Sequence, residues 1–111
     1  MAKKIGKRVL KATSTNKVDG KLQPQAIDLE RAVLGALMID NESLSDTIDS
    51  LHPEYFYKRE HQKIFEAIVK LFNNTQPVDI LTVTEELKKM GEIDFIGGIS
   101  YISELTNNIA S

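Results

Sequence analysis

From Pro24 onward, apolar residues recur with the spacing of an α-helix, and this periodicity constrains the fold more than any other feature of the chain. One stripe of the first segment holds Leu29, Ala32, Val33, Ala36 and Leu37, at i, i+3, i+4, i+7 and i+8. Its other sides carry Ile27, Leu34, Met38 and Ile39. The pattern therefore predicts a first helix that is buried nearly all round and forms the centre of a bundle.

Gly35 lies in the middle of this predicted helix. A glycine there costs roughly 1 kcal/mol of helix propensity relative to alanine. We therefore expect another helix to cross closely at Gly35, where it needs the space of the missing Cβ.

The second predicted helix begins after Asp40, whose carboxylate is a suitable N-cap. Its buried face consists of Leu44, Ile48 and Leu51. Pro53 ends this helix and opens a short turn, because its fixed φ suits a first helical position. Tyr55 and Phe56 are expected to plug the bundle from this turn.

The third predicted helix covers residues 59–73, with Asn73 and Asn74 at its end and Pro77 beyond it. Its inner face contains His61, Ile64, Phe65, Ile68, Leu71 and Phe72. We expect His61 to be a packed, hydrogen-bonded residue at the edge of the core rather than a metal ligand or a base.

The fourth predicted helix has two candidate N-caps. Thr82 and Glu85 fit a capping box, and Asp79 is the competing cap three residues earlier. The inward residues are Val83, Leu87 and Met90, and Gly91 supplies the stop. After a linker over residues 92–97, a last helix over residues 98–108 is predicted to bury Ile99, Ile102 and Leu105. Five helices and a turn make an all-α bundle with neighbouring, roughly antiparallel helices.

Composition limits the chain to one small domain. It has 111 residues, of which 41% are hydrophobic and 27% charged, and it contains no cysteine. A disulfide framework and a thiolate zinc site are therefore excluded, and His52 and His61 follow no metal-binding motif. With no apolar run long enough to cross a bilayer and no secretory h-region, a cytoplasmic protein is predicted.

The net charge of -2 hides an asymmetry. Residues 1–23 hold seven basic residues and one acid, a charge of +6, whereas the remaining residues hold seven basic and fifteen acidic residues, a charge of -8. We predict that residues 1–23 form a basic, disordered tail, because they bury little apolar surface, and that residues 24–111 form the globular head. The tail fits a solubilising arm, a contact with nucleic-acid phosphates or with an acidic partner, and a transit peptide.

No catalytic motif stands out in this chain. A P-loop needs Gly-x-x-x-x-Gly-Lys-Ser/Thr, and neither Gly6-Lys7 nor Gly20-Lys21 has the first glycine or the final hydroxyl. Glu85 and Glu86 are adjacent on a helix, so their side chains point about 100° apart and cannot flank one scissile bond. The serines lack a histidine and an acid at convergent spacing. The fragment is therefore predicted not to be an enzyme.

Four segments, taken in order, carry a family resemblance. They are Gln23–Asp40 (QPQAIDLERAVLGALMID), His61–Ile68 (HQKIFEAI), Pro77–Lys89 (PVDILTVTEELKK) and Gly97–Tyr101 (GGISY). Each alone is only an amphipathic helix, but their order and spacing over roughly residues 22–111 resemble the N-terminal domain of the bacterial replicative DNA helicase, the DnaB family. The resemblance implies a scaffold and docking domain whose ATP-driven motor lies in other sequence.

The resemblance also implies partners and cofactors. In that family, six N-terminal domains form a collar above a ring of RecA-like ATPase domains, and the collar recruits primase. The full-length protein uses ATP and Mg²⁺ to move 5′ to 3′ along single-stranded DNA, and a helicase loader is a further expected partner. This fragment is expected to hold no cofactor. In the family a helical hairpin, which would begin near the last residues of this chain, supplies much of the contact between subunits, so the lone head is expected to be monomeric or weakly dimeric. Proline is frequent in the family where Ala110 stands, so a different turn into the hairpin is expected here.

Tyr101 is the one candidate site residue. It matches an aromatic position that in the family lies on the surface facing primase, and tyrosine is frequent in small protein interfaces. Its helical phase places it about 100° from Ile102, so it should border the core, and a purely structural role stays open.

Two other classes of function stay open beside the helicase scaffold. A small helical DNA-binding domain with a basic N-terminal arm has a similar outline, although the charge of -8 on the bundle opposes binding to a polyanion. A single surface that gathers the basic side chains would favour it; the candidates are Arg31, Lys58, Arg59, Lys63 and Lys70. A cryptic hydrolase would need a pocket with a strongly perturbed carboxylate or histidine.

Overall fold

Six α-helices build the part of the chain that the computed structural model describes, which is residues 17–18, 21–22 and 24–110. The helices are α1 (Pro24–Ile39), α2 (Asn41–Thr47), α3 (Arg59–Asn73), α4 (Ile80–Lys89), α5 (Ile93–Ile96) and α6 (Gly98–Ala110). Two 3₁₀ turns, Ile48–Ser50 and Pro53–Tyr55, connect α2 to α3. The predicted all-α bundle of five to six helices is confirmed.

Two short strands precede the bundle. β1 (Lys17–Val18) pairs antiparallel with β2 (Lys21–Leu22), with Lys17 opposite Leu22 and Val18 opposite Lys21. The predicted disordered tail over residues 1–23 lies mostly outside the described residues and stays a prediction.

The core lies between α1, α3, α4 and α6. The most extensive helix contacts join α1 to α6 and α3 to α4. Its fully buried side chains include Leu34, Ile64, Phe65, Ile68, Val83, Leu87 and Ile102. Phe56 also enters the core from the second 3₁₀ turn and packs on Phe65 with ring centroids 5.3 Å apart, whereas Tyr55 is only partly buried. The turn therefore plugs the bundle with Phe56.

The buried face of α1 differs from the predicted stripe. Leu29 is 63% exposed and Ile39 46%, so this helix is not buried all round. Leu34, Leu37 and Met38 are buried as predicted, and Ala26 and Glu30 complete the inward face of α1. The observed inward face differs from the predicted one because it includes Glu30. Apolar periodicity assigns this charged residue to solvent, but it is buried and hydrogen-bonded.

Helix ends follow side-chain hydrogen bonds. The predicted N-cap Asp40 is confirmed, since its carboxylate accepts the Ser43 backbone N–H at 3.2 Å. At α4 the cap is Asp79, which accepts the Thr82 backbone N–H at 2.9 Å, while the Thr82 hydroxyl accepts the Asp79 N–H at 2.9 Å. The Thr82–Glu85 capping box was wrong, because Thr82 occupies the N3 position of a box that begins at Asp79.

The last third of the chain contains two further corrections. Residues 93–96, predicted as part of a linker, form the short helix α5, and its Ile96 is buried. Ile99, predicted to be inward, is 49% exposed, while Ile102 and Leu105 are buried as predicted. Ile99 points nearly in the same direction as the buried Thr106, seven residues later, so the bundle covers this side of α6 only beyond its first turn.

Candidate partner-binding site around Tyr101

Three helices and one loop meet at Tyr101. α1 contributes Glu30 and Arg31, the segment between the second 3₁₀ turn and α3 contributes Lys58, and the first turn of α3 contributes His61. These residues are separated by up to about 70 positions in sequence, so only the folded bundle brings them together. We call this set of five residues the Tyr101 site.

A chain of two short hydrogen bonds runs through the site. His61 Nδ1 lies 2.7 Å from Glu30 Oε1, and His61 Nε2 lies 2.6 Å from the Tyr101 hydroxyl. A carboxylate has no proton to donate, so Nδ1–H is the donor toward Glu30. In the neutral ring Nε2 is then an acceptor, and the Tyr101 hydroxyl donates to it.

Glu30 is satisfied from several directions at once. Its side chain is 8% exposed, and its Oε2 accepts the Tyr57 backbone N–H at 2.6 Å. Oε1 also accepts the Lys58 N–H, at 3.4 Å. A buried carboxylate is costly unless hydrogen bonds surround it, so these backbone donors explain why a glutamate is stable inside the bundle. They also attach the segment before α3 to α1.

The Tyr101 ring is partly buried, with a histidine ring and two cationic side chains beside it. It stacks on His61 with centroids 5.9 Å apart and an interplanar angle of 15°. Arg31 Cζ and Lys58 Nζ lie 5.9 and 5.7 Å from the ring centroid, which is within the range of cation–π interactions. Burial raises the pKa of the Tyr101 hydroxyl, and interaction with that hydroxyl raises the pKa of Arg31. The neutral phenol is therefore the favoured form.

The glycine pair before α6 is required by the backbone next to Tyr101. Gly97 has φ +107° and Gly98 has φ +76°, both in the left-handed region. A Cβ on Gly97 would also lie 3.1 Å from Tyr101 Cβ, which is tighter than nine in ten such contacts. The Gly97-Gly98 pair thus turns the chain from α5 into α6 and leaves room for the tyrosine.

Two sequence predictions meet at this site. Tyr101 is partly buried and packs against the core, as its helical phase predicted, and nothing in the fold tests whether a partner contacts it. His61 is packed and hydrogen-bonded as predicted, although it is fully buried rather than at the core edge. Glu30, Arg31 and Lys58 were missed as members of the site. The position of Glu30, four residues from both Ala26 and Leu34 on the inward face, was the available signal.

The basic side chains of the bundle lie in different surroundings, some beside Tyr101 and some in ion pairs with acidic residues. Arg31 and Lys58 meet at Tyr101, whereas Lys63 lies 3.7 Å from Glu66 and 3.5 Å from Glu92 in ion pairs. Lys63 is therefore paired with acidic side chains, and whether all five candidate residues gather on one surface stays a prediction.

A separate groove of about 440 Å³ lies between the 3₁₀ turns and α3, with Leu51, Phe65 and Val69 among its lining residues. Within residues 24–107, no three histidine or acidic side chains are grouped so that they could hold a metal ion. None of the described helices is long and apolar enough to cross a membrane.

The six helices and the core between them define a small all-α bundle domain. The crystal structure of the N-terminal domain of DnaB helicase from Mycobacterium tuberculosis is similar, with a TM-score of 0.68 and 33% identity, over 70% of this chain and 54% of that one. Residues 22–111 match the profile of the DnaB-like helicase N terminal domain. The chain belongs to this family, which confirms the resemblance found in the sequence.

Two bacterial relatives are much longer than this chain. Replicative DNA helicase DnaB of Rhodothermus marinus is 50% identical over 92 residues, which is 83% of this chain and 10% of the relative. Replicative DNA helicase DnaB of Geobacillus stearothermophilus is 43% identical over 89 residues, 80% of this chain and 20% of the relative. The chain therefore spans between a tenth and a fifth of these two helicases.

Proposed function

We propose that this chain is the assembly and docking domain of a replicative DNA helicase and that it recruits primase through the Tyr101 site. Membership of the DnaB-like helicase N-terminal domain family is the observation that supports the proposal. The site adds to this support, because it presents a partly buried aromatic ring with two cations beside it, and aromatic and arginine side chains are enriched in protein interfaces.

The activity of the whole protein is part of the same proposal. Helicase subunits would assemble into a hexamer, hydrolyse ATP with Mg²⁺ and move 5′ to 3′ along single-stranded DNA, with a loader assisting assembly. This domain would contribute assembly geometry and partner recruitment. Extending the reading frame beyond Ser111 tests the proposal: a hairpin, a linker and a Gly-x-x-x-x-Gly-Lys-Ser/Thr segment are expected, and a stop codon directly after Ser111 would refute it.

Primase docking is tested by the affinity of a primase C-terminal domain for Tyr101→Ala, measured by calorimetry. We expect at least about 30-fold weaker binding, since truncation of a central interface aromatic costs about 2 kcal/mol or more. Leu81→Ala is the control, because Leu81 is 70% exposed on α4. Helical circular dichroism must stay intact. Wild-type affinity in Tyr101→Ala, or equal loss of fold and binding, would refute the docking role.

A DNA-binding role is the second candidate, and the basic residues 1–23 favour it. The cations beside Tyr101 add a combination that single-strand binding proteins use, an aromatic ring next to positive charge. Binding of single-stranded DNA at low salt, with and without residues 1–23, tests this role. Loss of binding on truncation would support the tail as a phosphate contact, and equal binding would exclude it.

A further inference from the structure

Glu30 and His61 are polar residues on the inward faces of α1 and α3, where most other buried side chains are apolar. His61 is fully buried and Glu30 is 7% exposed. Both lie on inward helix faces, Glu30 with Ala26 and Leu34, and His61 with Ile64 and Phe65. The contact with a partner was assigned above to the Tyr101 ring and the cations beside it, which leaves the role of this buried pair open. A buried polar pair that is fully hydrogen-bonded specifies one geometry, because hydrogen bonds are directional and apolar contacts are not.

We propose that Glu30 and His61 are positioning residues for Tyr101, an inference that rests on the proposed docking function. The Glu30 carboxylate fixes His61 as the Nδ1–H tautomer. Nε2 then accepts a hydrogen bond from the Tyr101 hydroxyl. The ring is oriented before a partner arrives. Because the hydroxyl donates its hydrogen bond to His61 inside the bundle, a partner contacts the ring and the flanking cations and receives no hydrogen bond from the hydroxyl.

The opposite tautomer is disfavoured by the geometry. If Nε2 carried the proton, the Nδ1 lone pair would face a carboxylate oxygen at 2.7 Å, which is repulsive. The Tyr101 hydroxyl would then accept from Nε2–H and lose the acceptor for its own proton, since His61 is the hydrogen-bond partner that the described residues offer to this hydroxyl.

Glu30→Gln tests the proposal because it keeps the shape and changes the hydrogen-bond directions. An amide has one acceptor oxygen, whereas Glu30 accepts protons at both oxygens, from Tyr57 N–H at 2.6 Å and from His61 at 2.7 Å. If the amide oxygen keeps the Tyr57 bond, the amide NH₂ faces Nδ1 and favours the Nε2–H tautomer. The substitution is therefore expected to reverse the His61–Tyr101 hydrogen bond.

The first measurement is the tautomer of His61 by ¹⁵N NMR of the imidazole ring in the wild-type domain. The Nδ1–H form is expected, and the Nε2–H form would overturn the proposal whatever the binding result. This measurement does not depend on a variant that folds. In Glu30→Gln, a shift to the Nε2–H form is the expected result.

The second measurement is the affinity for the primase C-terminal domain. We expect Glu30→Gln to bind about 3- to 10-fold more weakly, since ordering a side chain at an interface weakens affinity by roughly that factor. Val83→Ala is the matched control: it removes buried apolar volume from α4 at a residue that makes none of the hydrogen bonds of the Tyr101 site, and its affinity should be unchanged. A folded Glu30→Gln that binds as tightly as Val83→Ala would show that the pair is structural only and overturn the proposal.

Failure of the docking function is recognised separately. If wild-type protein and Tyr101→Ala bind primase equally or not at all, the proposed function is wrong. The positioning role is then decided by the NMR line shapes of the labelled Tyr101 ring. A ring that becomes mobile in Glu30→Gln but not in Val83→Ala supports the role, and an unchanged ring overturns it.

Discussion

Tyr101→Phe separates the hydroxyl of Tyr101 from its ring. The substitution removes one oxygen atom and keeps the stack on His61 and the contacts with Arg31 and Lys58. The lost oxygen is the partner of His61 Nε2 at 2.6 Å. Because His61 is fully buried, Nε2 is left without a partner among the described residues, and water must enter to replace the hydroxyl.

The expected loss of stability follows from that orphaned acceptor. An unsatisfied buried acceptor costs about 1–3 kcal/mol, which exceeds the loss of an exposed hydrogen bond. For a domain of this size each kcal/mol lowers the melting temperature by about 4–8 °C. We therefore expect Tyr101→Phe to melt about 8–16 °C below the wild type for a central value of about 2 kcal/mol, while primase affinity stays within a few-fold of the wild type.

The assay is thermal unfolding followed by circular dichroism, with Tyr55→Phe as the control. Tyr55 is partly buried and its ring makes an edge contact with His52, and its hydroxyl forms no hydrogen bond with the described residues. Removal of that hydroxyl is expected to change the melting temperature by no more than about 2 °C. Equal melting temperatures for the two variants would refute the buried hydrogen-bond chain.

Four further expectations concern stability. Gly97→Ala should lose about 1–2 kcal/mol, because φ is +107° there and the new Cβ meets Tyr101; an unchanged urea midpoint would contradict this. Gly35→Leu should lose about 1–3 kcal/mol by overpacking, since Gly35 is buried in α1, and an unchanged melting temperature would exclude a close helix crossing. Hydrogen bonds from the Ser43 hydroxyl and backbone N–H lower the pKa of Asp40. The contribution of the Asp40 carboxylate to stability is therefore present above pH about 3.8 and lost as the pH falls through the lowered pKa. In Ser43→Ala the pKa of Asp40 should rise, as measured by NMR titration. The raised pKa of Tyr101 makes stability fall at alkaline pH. The contribution of the neutral Tyr101 hydroxyl to the free energy of unfolding is complete below pH about 10 and is lost as the pH rises through the raised pKa. Tyr101→Phe should not show this alkaline loss of stability.

Apolar periodicity predicted the helices well and the orientation of α1 poorly. The bounds of α3 at residues 59 and 73 agree with the prediction, because its inner face is apolar apart from His61. On α1, Glu30 takes an inward position and Leu29 an outward one. A pattern that counts only apolar residues cannot assign a glutamate to the core, since its burial depends on a histidine and backbone donors from distant parts of the chain.

Local signals were equally limited at the ends of helices. Thr82 carries a hydroxyl and precedes Glu85, which satisfies a capping box, but Asp79 offers a charged acceptor three residues earlier and forms the box instead. Helix α5 has only four residues, too few for a helical period to be visible in sequence. Tyr101 could be selected only through the family resemblance, and its contacts with His61, Arg31 and Lys58 required the folded bundle.

The two interpretations of Tyr101, structural residue and partner contact, are carried by different atoms of one side chain. The hydroxyl points inward to His61 and joins α6 to α3, and through Glu30 to α1, so it fixes how three helices meet. The ring lies at the surface of the same junction with cations beside it. A partner that binds the ring would therefore find it held by the same hydrogen bonds that stabilise the fold. This is why removal of the oxygen should affect melting far more than binding, and why removal of the whole ring should affect both.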